Sequence, residues 1–157
     1  MTTSLKRAGT VLLSVLLLCT LALSAGAASK LRVGVKFWKT DSDKESMANS
    51  GIDTSREASL TRQSNGTYTL TLPIQQVSKM GVTGYLTGLT IGDVTYNGTV
   101  TGDVTKDTGV LTIKTLPASV LTGSDVNKAL TVTCNIQMDL SLLGEINTSA
   151  RMCIWNK

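Results

Sequence analysis

The residues that could do chemistry are few, and their types exclude more than they allow. There is no histidine in the 157 residues. Ser-His-Asp and Cys-His nucleophile systems, His-containing zinc sites and His-ligated haem are therefore all absent. Of the three cysteines, Cys19 lies in an apolar run near the start, leaving Cys134 and Cys153, too few for an all-thiolate zinc site. No Gly-rich loop ends in Gly-Lys-Ser/Thr. Asp41-Ser42-Asp43-Lys44-Glu45 begins like a calcium loop, but its sixth place is Ser46 where Gly is required, and its twelfth is Ile52 where Glu is required. These acids read as a solvated loop. No acid–base or nucleophile set is visible, so the chain does not read as an enzyme.

The elements that position these residues begin after a leader. Lys6 and Arg7 precede an uncharged apolar run from Val11 to Leu23, followed by Ala25-Gly26-Ala27. That is the pattern of a secretory signal peptide over residues 1–27, with cleavage before Ala28, and the run is too short for a bilayer span. Leu16-Leu17-Leu18-Cys19 is a poor lipoprotein box, because the residue before the cysteine should be small. Residues 28–157 are then expected to form a single secreted domain, with lipid or wall anchoring not expected. Losing Lys6 and Arg7 lowers the formal charge of +4 by two, and no basic run remains. A nucleic-acid surface is not expected.

Period-two alternation recurs through this domain and helical periodicity hardly appears. Strands are expected over Leu31–Phe37, around Ala58–Leu60, over Tyr68–Ile74, over Leu89–Ile91 continuing toward Tyr96, and over Thr99–Val104, Val110–Thr115, Leu130–Met138 and Arg151–Trp155. Asn65-Gly66 and Asn97-Gly98 are hairpin-turn pairs. Short helical turns fit only Asp43–Asn49 and Ala118–Leu121. Seven or eight short strands at this spacing suggest an all-β antiparallel sandwich. A final hairpin centred between Leu143 and Gly144 would set Cys134 opposite Cys153, close enough for the disulfide that a secreted chain permits. Two buried free thiols are the alternative.

The order of features resembles the NEAT (near-iron-transporter) domain of Gram-positive bacteria. The segments that carry it are Val35-Lys36-Phe37-Trp38-Lys39, Lys44-Glu45-Ser46-Met47-Ala48-Asn49, Ala58-Ser59-Leu60, Gly66-Thr67-Tyr68-Thr69-Leu70, Gly84-Tyr85-Leu86, Ile136-Gln137-Met138 and Ala150-Arg151-Met152-Cys153-Ile154-Trp155. The resemblance runs from Lys30 to Trp155 and rests on order and spacing. It implies an immunoglobulin-like sandwich outside the cell, with a short helical turn after the first strand. Many members hold haem in an apolar groove between that turn and the last hairpin. Others bind haemoglobin, so haem, a haemoprotein and cell-surface haem-relay proteins are the implied partners.

Carried onto this chain, Ser46 and Met47 fall in the helical lip, and Met138 and Met152 in the closing hairpin. A lip Ser commonly bonds a haem propionate. The familiar haem binders carry Tyr-x-x-x-Tyr on the final strand; here no Tyr follows Tyr96. Without His as well, iron could be held only by a thioether, a thiolate or a Tyr from elsewhere, with Met47 and Met138 first and Met152 next. Against this, a Met in a strand is ordinarily core filler, and Ser46 could be a helix cap. Tyr68 and Tyr85 could be core rings; Lys36, Lys39 and Arg151 could meet carboxylates or simply be solvated. An immunoglobulin-like adhesion or protein-binding module without cofactor is the second function class.

Overall fold

The computed structural model describes residues 28–79, 81–139 and 144–157. The leader over residues 1–27, with Cys19, and the expected hairpin centre at Leu143 lie outside the described residues.

Nine strands follow in order: β1 (Lys30–Trp38), β2 (Ala58–Arg62), β3 (Tyr68–Pro73), β4 (Val77–Lys79), β5 (Val82–Ile91), β6 (Val94–Thr101), β7 (Val110–Leu116), β8 (Leu130–Met138) and β9 (Glu145–Asn156). Four 3-10 turns punctuate them: η1 (Met47–Gly51), η2 (Val104–Lys106), η3 (Ala118–Val120) and η4 (Val126–Lys128). All described pairings are antiparallel. The expected all-β antiparallel fold is therefore present. The expectation was of two facing sheets; the hydrogen bonding instead joins eight strands into one closed circuit, β5-β6-β7-β3-β2-β1-β9-β8, which the β5–β8 pairing completes. Closure leaves no long unpaired edge. Short β4 pairs with the beginning of β5.

The alternation of each strand fills the interior. Leu60, Leu70, Leu72, Leu89, Leu111, Ile113 and Ile154 are fully buried and form one cluster with Val33 and Phe37. Pro73 closes β3, as its missing N–H requires. One turn differs from expectation. Asn97-Gly98 lies inside β6, and the chain reverses at Gly92-Asp93, where Gly92 takes a φ of 58°. Gly98 is needed for close approach: a Cβ there would lie 2.3 Å from Leu111 Cδ1. A glycine demanded by packing had the signature of a turn.

Candidate functional site

The lip of the candidate site is built where β1 ends. Arg151 of β9 reaches back to the loop after Trp38, donating from Nε to the Lys39 carbonyl at 2.9 Å and from Nη2 to the Ser42 carbonyl at 2.9 Å and Asp43 Oδ1 at 2.8 Å. Lys36 holds Glu45 at 2.5 Å, with its ammonium 4.4 Å from the centre of the Trp38 ring. Ser46 then caps η1, its Oγ accepting from Ala48 N at 3.3 Å. Asn49 fastens the turn to β1: Phe37 N–H donates to its Oδ1, and its Nδ2 donates to the Phe37 carbonyl, both at 2.7 Å. Met47 is left projecting, 36% exposed.

The opposing wall is the end of the β8–β9 hairpin. Met138 closes β8 opposite Gly84 of β5, and its N–H donates to the Gly144 carbonyl at 2.9 Å. Asp139 staples this end: its N–H donates to the Thr83 carbonyl at 2.9 Å, while its carboxylate accepts from Gln76 Nε2 at 2.7 Å and from the Thr83 hydroxyl. A Cβ on Gly84 would lie 2.6 Å from the Gln137 carbonyl and 3.0 Å from Met138 Sδ, so β8 and the Met138 side chain pack this close only against a glycine. Ile146, across from Ile136 on the inward-facing row of β9, is 39% exposed. η1 packs against β1 and β5, so lip and hairpin share β5 as a floor.

The structure thus brings Met47 and Met138 to the same end of the barrel, with Ser46 beside Met47, and separates them from Met152. Met152 is 0% exposed, paired with Phe37 on one side and Leu130 on the other. It is core filler, and its thioether cannot reach a bound group. Ser46, next to Met47, is 6% exposed; its cap uses an Oγ lone pair and leaves the hydroxyl proton uncommitted. Arg151 is spent on the lip loop. Tyr68 and Tyr85 are half-buried against the core. The inward-facing row of β9 begins Ile146, Thr148 and Ala150 and holds no Tyr.

The Cys134–Cys153 bridge is also corrected. β8 and β9 pair with Leu130 opposite Met152 and Cys134 opposite Thr148. Cys153 is five residues further along β9, an odd step, so the two side chains lie on opposite faces. Cys134 is in the core, where burial pushes its thiol up to about 12. Cys153 is covered from outside by the η4 loop, its Sγ 3.6 Å from the Asp125 carbonyl. Both are free thiols.

Sequence reasoning missed Ile146, Gly84 and Asn49. Ile146 was legible in principle, because Ile146, Thr148, Ala150, Met152 and Ile154 keep one alternating row. Its polar neighbours broke the apolar signal.

A separate cavity of about 580 Å³ lies on the other side of η1, where β1 parts from β2. Its wall includes the Asp53–Arg56 pair at 2.5 Å. The Ser55 hydroxyl, and then the Arg56 guanidinium, hold the Asp53 carboxyl below the usual carboxylate range. Among the described residues no His/Cys/Asp/Glu group could hold a metal ion, and no helix is long and apolar enough to cross a membrane.

No protein-family model matches the chain, and no curated protein matches it in sequence. Solved structures do match. The NEAT5 domain of IsdX2, a B. anthracis hemophore in complex with haem, aligns over 83% of this chain and 98% of its own, with a TM-score of 0.53 at 9% identity. A mutant of IsdX2-NEAT5 in complex with haem aligns over 84% and 98%, with a TM-score of 0.51 at 11% identity. At such identities the likeness speaks for the fold, and the fold of this chain is that of a NEAT domain.

Proposed function

We propose that this chain, folded as a NEAT domain, is a secreted, non-catalytic haem-binding or haem-relay module of an iron-acquisition pathway. The observation that carries the reading is the likeness, over more than four-fifths of the chain, to NEAT5 domains that hold haem. The immunoglobulin-like description, the leader over residues 1–27 and the extracellular setting belong to the same reading. The mouth between η1 and the β8–β9 hairpin supports it with an exposed thioether at Met47, a half-buried one at Met138 and an apolar rim at Ile146. With no imidazole in the chain and no phenol on the closing strand, sulfur from Met47 or Met138 is the first donor for the iron, ahead of a phenol from Tyr68 or Tyr85, which are half-buried against the core. Haem bound there would supply its own iron chemistry; the protein's part is to hold the ring between the lip and the hairpin and shield it from water.

A cofactor-free protein-binding module is the second reading, favoured by the absence of any Tyr from β9. Titration with haemin in ferric and ferrous states separates the two. The haem reading expects a saturable Soret shift; no shift in either state would leave the protein-binding module.

A further inference from the structure

The cavity beside β1 carries an inference that does not depend on haem. Antiparallel pairing sends the main-chain groups of alternate residues to opposite sides of a strand. On β1 the Arg32 carbonyl accepts from Lys157 N–H at 3.0 Å, which assigns the even residues to β9. The odd residues face the other way. The Ser29 carbonyl accepts from Arg62 N–H at 3.1 Å, Val33 pairs with Ala58, and Asn49 bonds both polar groups of the Phe37 main chain. Val35 lies between them, where β2 has not yet begun and Arg56 is held by Asp53 and the Gly109 carbonyl. Its N–H and C=O therefore face the cavity, with no hydrogen-bond partner among the described residues.

The open stretch of β1 is one residue long, closed by Ala58 on Val33 and by Asn49 on Phe37. That length decides what can enter. A trans amide points its N–H and C=O in opposite directions, so a peptide would need its neighbouring residues in the slot as well. A primary carboxamide or a lactam carries donor and acceptor on one edge. That edge can make both hydrogen bonds to a single extended residue. The rest of the cavity suits a ring. Val33, Ile52, Ala58 and Leu72 give it a buried apolar floor. One wall is the Trp155 indole, seated against Gly34, where a Cβ would lie 2.3 Å from two of its ring carbons. The volume of about 580 Å³ is that of a small-ligand pocket. The wall charges are already matched, Lys36 with Glu45 and Arg56 with Asp53, and a neutral guest leaves those pairs intact. We infer that this cavity binds a small neutral ring compound through a primary-carboxamide or lactam edge paired with the Val35 main chain.

Amide exchange of the isotope-labelled full domain tests the basis first: Val35 should exchange fast between slow Val33 and Phe37. Benzamide is the probe, a neutral ring with the required edge. It should produce saturable shifts at Val35, Asn49 and Trp155 and slow the exchange of Val35. N-methylbenzamide keeps a donor and an acceptor but points them apart, and benzoate lacks the donor. Each should bind at least about tenfold more weakly. Trp155→Leu, in a protein that melts like the parent, should weaken benzamide binding about two- to tenfold. A protected Val35 in the free protein, no saturable shift with benzamide, equal binding of N-methylbenzamide, or unchanged affinity in Trp155→Leu would each overturn the proposal.

Discussion

Met47, Met138 and Met152 share a side chain and differ in surroundings. Met152 sits at a strand centre flanked by Phe37 and Leu130, where a flexible thioether fills space. Met47 has an exposed position on a capped turn, with no packing reason to be methionine. That distinction was legible for Met47, which stands in a polar loop, but not between Met138 and Met152, which both alternate correctly in strands. Ser46 shows the same limit, since a hydroxyl at a turn start reads equally as cap or as ligand contact. Asp53 carries the clearest energetic expectation at this scale. Its folded-state pKa is depressed, so the unfolded chain takes up protons first as pH falls. The stability it contributes is present above the ordinary value of 3.8 and is lost as pH drops through the folded value. Asp53→Asn should flatten the acid limb of a thermal-melting profile. Asp53→Ala should cost about 1.5–3 kcal/mol at neutral pH, because it strips a charged partner from Arg56.

The centres of β1, β3, β7 and β8 were legible; those of β5 and β6, and the strand register, were not. The alternation in Leu130–Met138 marks β8 to the residue, and Val110–Thr115 marks β7 to within one. β9 begins at Glu145, six residues before its expected start at Arg151, because Glu145, Asn147 and Ser149 interrupt the apolar signal on its outer face. A strand of unknown length leaves the hairpin centre unknown, and with it the partner of Cys134. The observed register gives a direct test. Alkylation in denaturant without reductant should label both Cys134 and Cys153, and reductant should leave the melting temperature unchanged. The native protein should resist the reagent, since both sulfurs are buried. An unlabelled pair with a mass two hydrogens lighter would contradict the register.

At the scale of the molecule, composition had already removed imidazole chemistry and basic surfaces, and the order of segments pointed to the NEAT fold that the solved structures share. Closure through β5 and β8 was not legible, because it depends on long-range pairing that period-two patterns do not encode. The leader leads to a mass prediction: protein recovered from culture medium should begin at or near Ala28. A lipid-modified product starting at Cys19 would contradict it.

The central claim is that haem sits at the mouth between η1 and the hairpin, held by sulfur. Thioether favours ferrous iron over ferric, so reduction should tighten binding. The most direct measurement is a Soret titration of ferrous haem into the parent and into a Met47→Ala/Met138→Ala variant that melts like the parent. The expected result is a saturable shift in the parent, weaker with ferric haem, and its displacement or loss in the variant. An identical Soret spectrum and affinity in parent and variant would contradict the claim.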